Sequence, residues 1–177
     1  ETRLREELDA QERVVVGYVG THGMAHGLDT VLDVAKRLPE RLFLFVGDGA
    51  ERARLEARAR DERIENARFL GMLPRDRMTE IYATCDLLVV PLRKTELFTS
   101  VIPSKMFEIF AMERPLVLSV DGEAQTCSCR RCGSATPGTC RRSAGSDANR
   151  NRRQCAPMAD DPEVTREEAF VAEIAAR

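Results

Sequence analysis

The strongest constraint in this sequence is a rhythm. From Arg13 to Ser119, short runs of aliphatic and β-branched residues alternate with charged, amphipathic stretches. The runs are Arg13–Tyr18 (RVVVGY), Arg41–Val46 (RLFLFV), Ala67–Leu70 (ARFL), Leu87–Pro91 (LLVVP) and Leu116–Val120 (LVLSV). Their near-continuous hydrophobicity suits strands buried on both faces. Between them, Leu28, Val31, Leu32, Ala35 and Leu38 recur at helical spacing, and Ala50–Arg63 is a strong helix former whose apolar positions are widely spaced among charges. Asp76 is placed to cap a helix through Met78, Ile81 and Tyr82. A fourth helix, Ser104–Met112, follows Pro103, a residue suited to a first helical turn. Such alternation predicts βαβ units and an α/β fold, a Rossmann-like parallel sheet with helices on both faces.

A chain of 177 residues has room for one such domain with a real core. The sequence divides into a linker or helix over 1–12, a Rossmann-like domain over 13–125, an irregular Cys/Arg-rich segment over 126–157 and a C-terminal helix over 158–177, with Phe170, Val171 and Ile174 as its apolar stripe. The charged opening ETRLREELDAQER reads as part of a longer protein. No stretch approaches the roughly 18 apolar residues of a membrane span, and that opening lacks the apolar core of a signal peptide, so a cytoplasmic location is expected. The net charge of −2 implies no bulk attraction to nucleic acid, and any phosphate ligand must be held by a local site.

Only Cys85 of the six cysteines lies before residue 126. The other five, Cys127, Cys129, Cys132, Cys140 and Cys155, fall in a segment without Val, Ile, Leu, Met, Phe, Trp or Tyr. Their spacing admits a zinc site. The Arg/Cys/Ser/Gly/Pro composition instead favours GC-rich DNA translated in a wrong frame, since each cysteine codon read one nucleotide later gives Val or Ala. Paired frameshifts are the preferred reading of 126–157, and no metal site is expected in residues 1–125.

Three loops sit beyond the carboxyl ends of predicted strands, where such sheets take their ligands. The first, Gly20-Thr21-His22-Gly23-Met24-Ala25-His26-Gly27, has glycines that admit close backbone approach and leads into a helix N-terminus, where amides attract anions. His22 and His26 can donate to phosphate or sugar, or serve the turn itself. The second, Gly47-Asp48-Gly49, offers a close approach at its glycines, with Asp48 expected to cap the helix. The third runs from Phe98 to Glu108. Ser104 and Lys105 would occupy a first helical turn able to cradle a diphosphate, with Glu108 one turn on and placed to accept from a diol such as ribose. Read alone, this is also compatible with an ordinary helix start.

In series, GTHGMAHGLDTVLDVA, FVGDGAERARLE, RFLGMLPRDRMTEIYATCDLLVVPLR and IPSKMFEIFAMERPLVLSVDGEA resemble the donor-binding half of family 4 glycosyltransferases, over about residues 13–124. Bacterial enzymes of surface-polysaccharide assembly, including aminosugar transferases, are the most similar. The resemblance implies a GT-B architecture of two Rossmann-like domains facing a cleft, of which this is the C-terminal, nucleotide-binding one. It implies retaining transfer from a UDP- or other NDP-sugar, with no cofactor. The acceptor, a glycan or lipid-linked sugar, would be held by the missing N-terminal domain, and the full-length enzyme would associate peripherally with the inner face of the plasma membrane.

By resemblance, Glu108 binds the ribose and Ser104 with Lys105 the diphosphate. Lys105 is also the catalytic cation at the leaving group. Gly20, Thr21, His22 and Gly23 form the glycine-rich turn near the phosphates; Gly71, Met72 and Leu73, followed by Pro74, lie beside the base; Gly47 and Gly49 match the glycines after the second strand. Two departures stand out. Ser100 occupies the place of a sugar-facing carboxylate, with Glu96 too far upstream to replace it simply. His26-Gly27 stands where the family carries Lys-Gly, so neutralisation would fall to Lys105, with Arg93 or Lys94. An NDP-sugar epimerase of the same architecture, or a non-catalytic nucleotide- or zinc-binding module, are the alternative readings.

Overall fold

The computed structural model describes residues 3–93, 103–119, 139–140, 172 and 174–175. Lys94, Glu96, the 98–102 part of the third loop with Ser100, and the cysteine-rich segment apart from 139–140 lie outside the described residues.

The apolar runs become strands where the sequence places them: β1 Val15–Val19, β2 Leu42–Val46, β3 Ala67–Gly71, β4 Leu87–Pro91 and β5 Leu116–Ser119. All five are parallel, in the order β3-β2-β1-β4-β5, and β1 is central. Val15–Val19 pairs in unbroken register with Leu42–Val46. A two-residue strand, β6 (Thr139–Cys140), lies antiparallel to β5. It falls within the segment expected to be irregular. Backbone pairing to an edge strand needs no apolar side chain, so composition carried no sign of it.

Helix α1 (Arg3–Glu7) precedes β1, and between the strands run α2 (Leu28–Arg37), α3 (Arg52–Asp61), α4 (Met78–Thr84) and α5 (Lys105–Ala111). The period-2 alternation of the strands sorts their side chains into two cores. One takes Val15, Val19, Leu44, Leu88, Val90 and Leu116 with Leu4 of α1, Ile81 and Tyr82 of α4, and Met106 and Ile109 of α5. The other takes Val16, Tyr18, Phe43, Phe45, Val89 and Val117 with five residues of α2, two of α3, and Ile174. Ile174 is fully buried, and the Ala175 carbonyl accepts from Arg41 Nη2 at 2.7 Å.

The helices begin differently from the capping expected. Residues Arg75–Arg77 form a 3₁₀ turn that contains Asp76, so α4 starts at Met78 behind Arg77, with no side-chain cap. Asp48 does not cap α3 either. Glu51 holds that position, while Asp48 Oδ1 accepts from the Gly49 amide at 2.7 Å and its Oδ2 lies 3.6 Å from Arg52. In both cases an extra turn of chain precedes the helix and carries the acidic residue past the cap position.

Helix α3 buries only Leu55 and Ala59. Arginines supply the rest of its attachment to α2. Arg54 meets Asp29 bidentately at 2.9 and 2.7 Å, and Arg58 meets Asp29 at 3.1 Å as well as Asp33 and Glu62. The Arg54 pair is the main cause holding the Asp29 carboxyl below the usual range. At the far end of the same layer, the buried Asn66 amide donates to the carbonyls of Ala35, Leu38 and Arg41, tying the end of α2 to the start of β2.

Candidate nucleotide site

The loops after β1, β2 and β3 are laced together at the carboxyl edge of the sheet. The Gly20 amide donates to Val46 (2.9 Å), the Gly47 amide to Gly71 (2.8 Å), and the His22 amide to Asp48 (2.9 Å). Gly47 has φ +128°, and a Cβ there would fall 2.0 Å from the Gly20 carbonyl oxygen. The glycine is therefore required by the crossing of two loops. Gly49 lies against the His22 backbone, and its carbonyl accepts from Arg52 at the start of α3.

Gly20 does something different. Its φ is +137°, and a Cβ would lie 2.8 Å from Lys105 Nζ, so the missing side chain is what lets the ammonium of α5 reach the turn after β1. The Lys105 amine donates to the Tyr18 hydroxyl at 3.0 Å and sits 4.1 Å from the centre of the Tyr18 ring. The Tyr18 hydroxyl in turn donates to the Thr21 carbonyl at 2.7 Å. Among the described residues no carboxylate comes within ion-pair distance of Lys105. Burial draws its pKa down to about 8, with Glu108 opposing the shift.

Glu108, one turn along α5, is exposed, and one of its oxygens accepts from the Tyr82 hydroxyl at 2.7 Å. Burial first, and then this bond, push the Tyr82 phenol up. The other carboxylate oxygen has no partner among the described residues. Ser104 is exposed at the N-cap of α5 without a side-chain cap bond. Thr21 is exposed on the first turn, Gly23 precedes a 3₁₀ turn over Met24–His26, and Arg93 is drawn to the same loop by its amide, which donates to the Ala25 carbonyl at 2.9 Å. Beyond β3, Gly71 is buried, Leu73 packs on the core and Met72 is 78% exposed.

His22 lies inside the protein. Its ring is fully buried between Tyr18, Phe45 and Phe69, and neither ring nitrogen has a partner among the described residues. Burial and then Arg52 lower its pKa. His26 is drawn down to about 4 by burial and then by Lys105, so both imidazoles are neutral at pH 7. At the candidate site the described cations are Lys105 and Arg93, the latter 3.9 Å from Asp29, with Arg52 at the Gly71 turn paired with Glu56. No group of three His, Cys, Asp or Glu side chains among the described residues is placed to hold a metal.

Sequence reasoning missed the two tyrosines. They are the only two in the chain, and each places its hydroxyl on one of the charged groups of α5. A groove of about 500 Å³ lies elsewhere, between α3 and β3, rimmed by Arg60, Arg63 and Arg68. No helix among the described residues is long and apolar enough to cross a membrane.

The chain is 29% identical over 121 residues to WcaI, a colanic acid biosynthesis glycosyl transferase of Escherichia coli, an alignment covering 67% of this chain and 30% of WcaI. It is 30% identical over 97 residues to the 2-deoxystreptamine glucosyltransferase of Streptomyces kanamyceticus, covering 52% of this chain and 25% of that one. The chain thus spans under a third of the length of these relatives. Its fold is similar to that of HepE of Anabaena, solved in complex with UDP and glucose, with a TM-score of 0.61 and 21% identity over 71% of this chain and 34% of HepE. The model of the group 1 glycosyl transferases matches residues 13–134, well over half of the sequence and ten residues past the motifs that carry the resemblance, and the chain belongs to that family.

Proposed function

We propose that this chain binds the nucleoside diphosphate of a sugar donor, UDP or another NDP, at the carboxyl edge of its sheet, and that it serves retaining glycosyl transfer in bacterial polysaccharide assembly. The observation that carries the reading is the apposition of Lys105 and Gly20, with Glu108 one turn away. A cation with no carboxylate partner among the described residues, beside a turn stripped of side chain, suits a diphosphate. A carboxylate with one oxygen unpartnered among those residues suits the ribose diol. Lys105 stabilises the negative charge that develops on the departing diphosphate as the sugar–oxygen bond breaks, and no metal is needed for that role. Arg93 adds a second positive charge at the same loop. Ser104, Thr21 and Gly23 line the phosphate side, and Met72 with the backbone of Gly71 and Leu73 lies beside the base. His22 acts through the packing of its buried ring rather than by donating to the ligand.

The likeness to WcaI, a colanic acid biosynthesis glycosyl transferase, supports a polysaccharide pathway, and within that reading the donor is a hexosyl or aminosugar one. In the whole enzyme a facing domain brings the acceptor, a glycan or lipid-linked sugar, at the cytoplasmic face of the membrane, and the donor half alone binds without turning over. The test is a thermal melt of the chain with and without UDP. At about 100 times the dissociation constant the ligand adds about 2.7 kcal/mol, a rise of about 5–10 °C for a chain of this size. Glu108→Ala weakens UDP binding by about 2–3 kcal/mol and removes most of that rise. A cooperative melt indifferent to UDP overturns the reading for this nucleotide, and an unchanged affinity in the variant removes Glu108 from the site.

A further inference from the structure

We infer that Tyr18 is a positioning residue for Lys105, its hydroxyl fixing the ammonium against the Gly20 turn where a diphosphate is received. The inference rests on the nucleotide reading above and deepens it.

Tyr18 is the penultimate residue of the central strand and is 1% exposed. A phenol has one proton to give. Here the proton goes to the Thr21 carbonyl, which leaves the oxygen's lone pairs to accept from Lys105. One hydroxyl therefore ties together the two pieces that must meet the same anion: the turn after β1 and the cation of α5. The ring face 4.1 Å beneath the ammonium adds a cation–π attraction. For core packing alone, phenylalanine would fill the place.

The titratable and charged groups around the amine explain why the contact matters. Among the described residues Glu108, on its own helix, is the acidic group that favours its charged form, while His22 and His26 of the adjoining turn, whose own pKa values Lys105 helps to lower, are neutral where the amine titrates and add no charge beside it. The Tyr18 oxygen and ring thus supply the close contacts that keep a buried amine protonated near neutral pH.

UDP affinity is measured by calorimetry from pH 6.5 to 9.5 for the full chain, Tyr18→Phe, Lys105→Met and the double variant. Tyr18→Phe is expected to weaken UDP about tenfold at pH 7.5. The pH above which affinity falls should move down by about one unit, as the amine loses its acceptor. In the Lys105→Met background the same change should be silent, because Tyr18 acts through the amine. Equal losses in both backgrounds, or no loss where Lys105 is intact, overturn the inference. If the full chain shows no UDP affinity, the nucleotide reading fails and the contact is still tested without ligand. The same measurement serves if Tyr18→Phe does not melt cooperatively. By NMR, the Tyr18 ring resonances should titrate with a midpoint near pH 8 that Lys105→Met abolishes. Ring resonances flat from pH 7 to 10 overturn it.

Discussion

The bridging arginines of α3 and the charged groups of α5, on opposite faces of the sheet, are held by contacts of opposite character. On the α2–α3 face each bridging arginine finds carboxylates: Arg54 has Asp29 and Glu51, and Arg58 has Asp29, Asp33 and Glu62. Charge there is consumed within the fold and substitutes for the apolar area that α3 lacks. The charged groups of α5, on the other face, meet hydroxyls: Glu108 that of Tyr82 on its own face, and Lys105 that of Tyr18, whose ring belongs to the α2–α3 core. A neutral partner orients a charge without neutralising it. The comparison separates charge used to build from charge kept for a ligand, and substitutions on the two faces should separate in the same way.

The largest effect is expected from Phe43→Ala, in the core of the α2–α3 face. Removing a fully buried ring costs about 3–5 kcal/mol, read as a fall in denaturation midpoint, with UDP affinity unchanged for whatever fraction remains folded. Lys105→Met should do the reverse. Loss of the cation abolishes the UDP-dependent rise in melting temperature, worth about 2 kcal/mol or more. The free chain should meanwhile become about 1 kcal/mol more stable, because a partly buried ammonium is replaced by an apolar side chain of similar length. A variant that loses both binding and stability would mean that Lys105 is a structural cation like Arg58.

The pH dependence sharpens the same point. Lys105 in the free chain carries its charge below about pH 8 and loses it above, while a bound diphosphate holds the proton on. UDP affinity is therefore level as pH rises to about 8 and then declines by up to about tenfold per unit. The stability contribution has the opposite sign. The folded-state value lies below that of an unfolded lysine, so the folded chain bears the full penalty below pH 8 and is relieved of it as pH climbs from there towards about 10.4. Lys105→Met should erase both trends. The smallest effect is that of Arg58→Ala, about 1 kcal/mol or 2–4 °C in melting temperature for a partly exposed network, with no change in UDP affinity.

The strands were legible because a parallel sheet covered on both faces demands continuous apolar runs, and Leu87–Pro91 is found at the limits the sequence predicts. Helix α2 was legible through Leu28, Val31, Leu32 and Ala35, all buried. Helix starts were less so: an acidic residue before an amphipathic run signals a cap, yet one extra 3₁₀ turn at Arg75–Arg77 displaces it. In the site, the α5 pair could be placed one turn apart from spacing alone. What held the pair could not, since Tyr18 lies 87 residues from Lys105 and looks from sequence like one more core ring in a strand. The burial of His22 was hidden for the same reason: its surroundings, Phe45 and Phe69, come from the next two strands.

The lacing of the first three loops bears on how such a domain can diversify. With no room between Gly47 and the Gly20 carbonyl for even a Cβ, and the Gly47 amide bonded onward to Gly71, a change of length in any one loop displaces the other two. The rim behaves as a single part with three inputs, transplantable between relatives only as a set. New donor preferences must then come from the outward side chains it displays, such as Thr21 and Met72, which can be exchanged one at a time while the backbone frame beneath them stays constant.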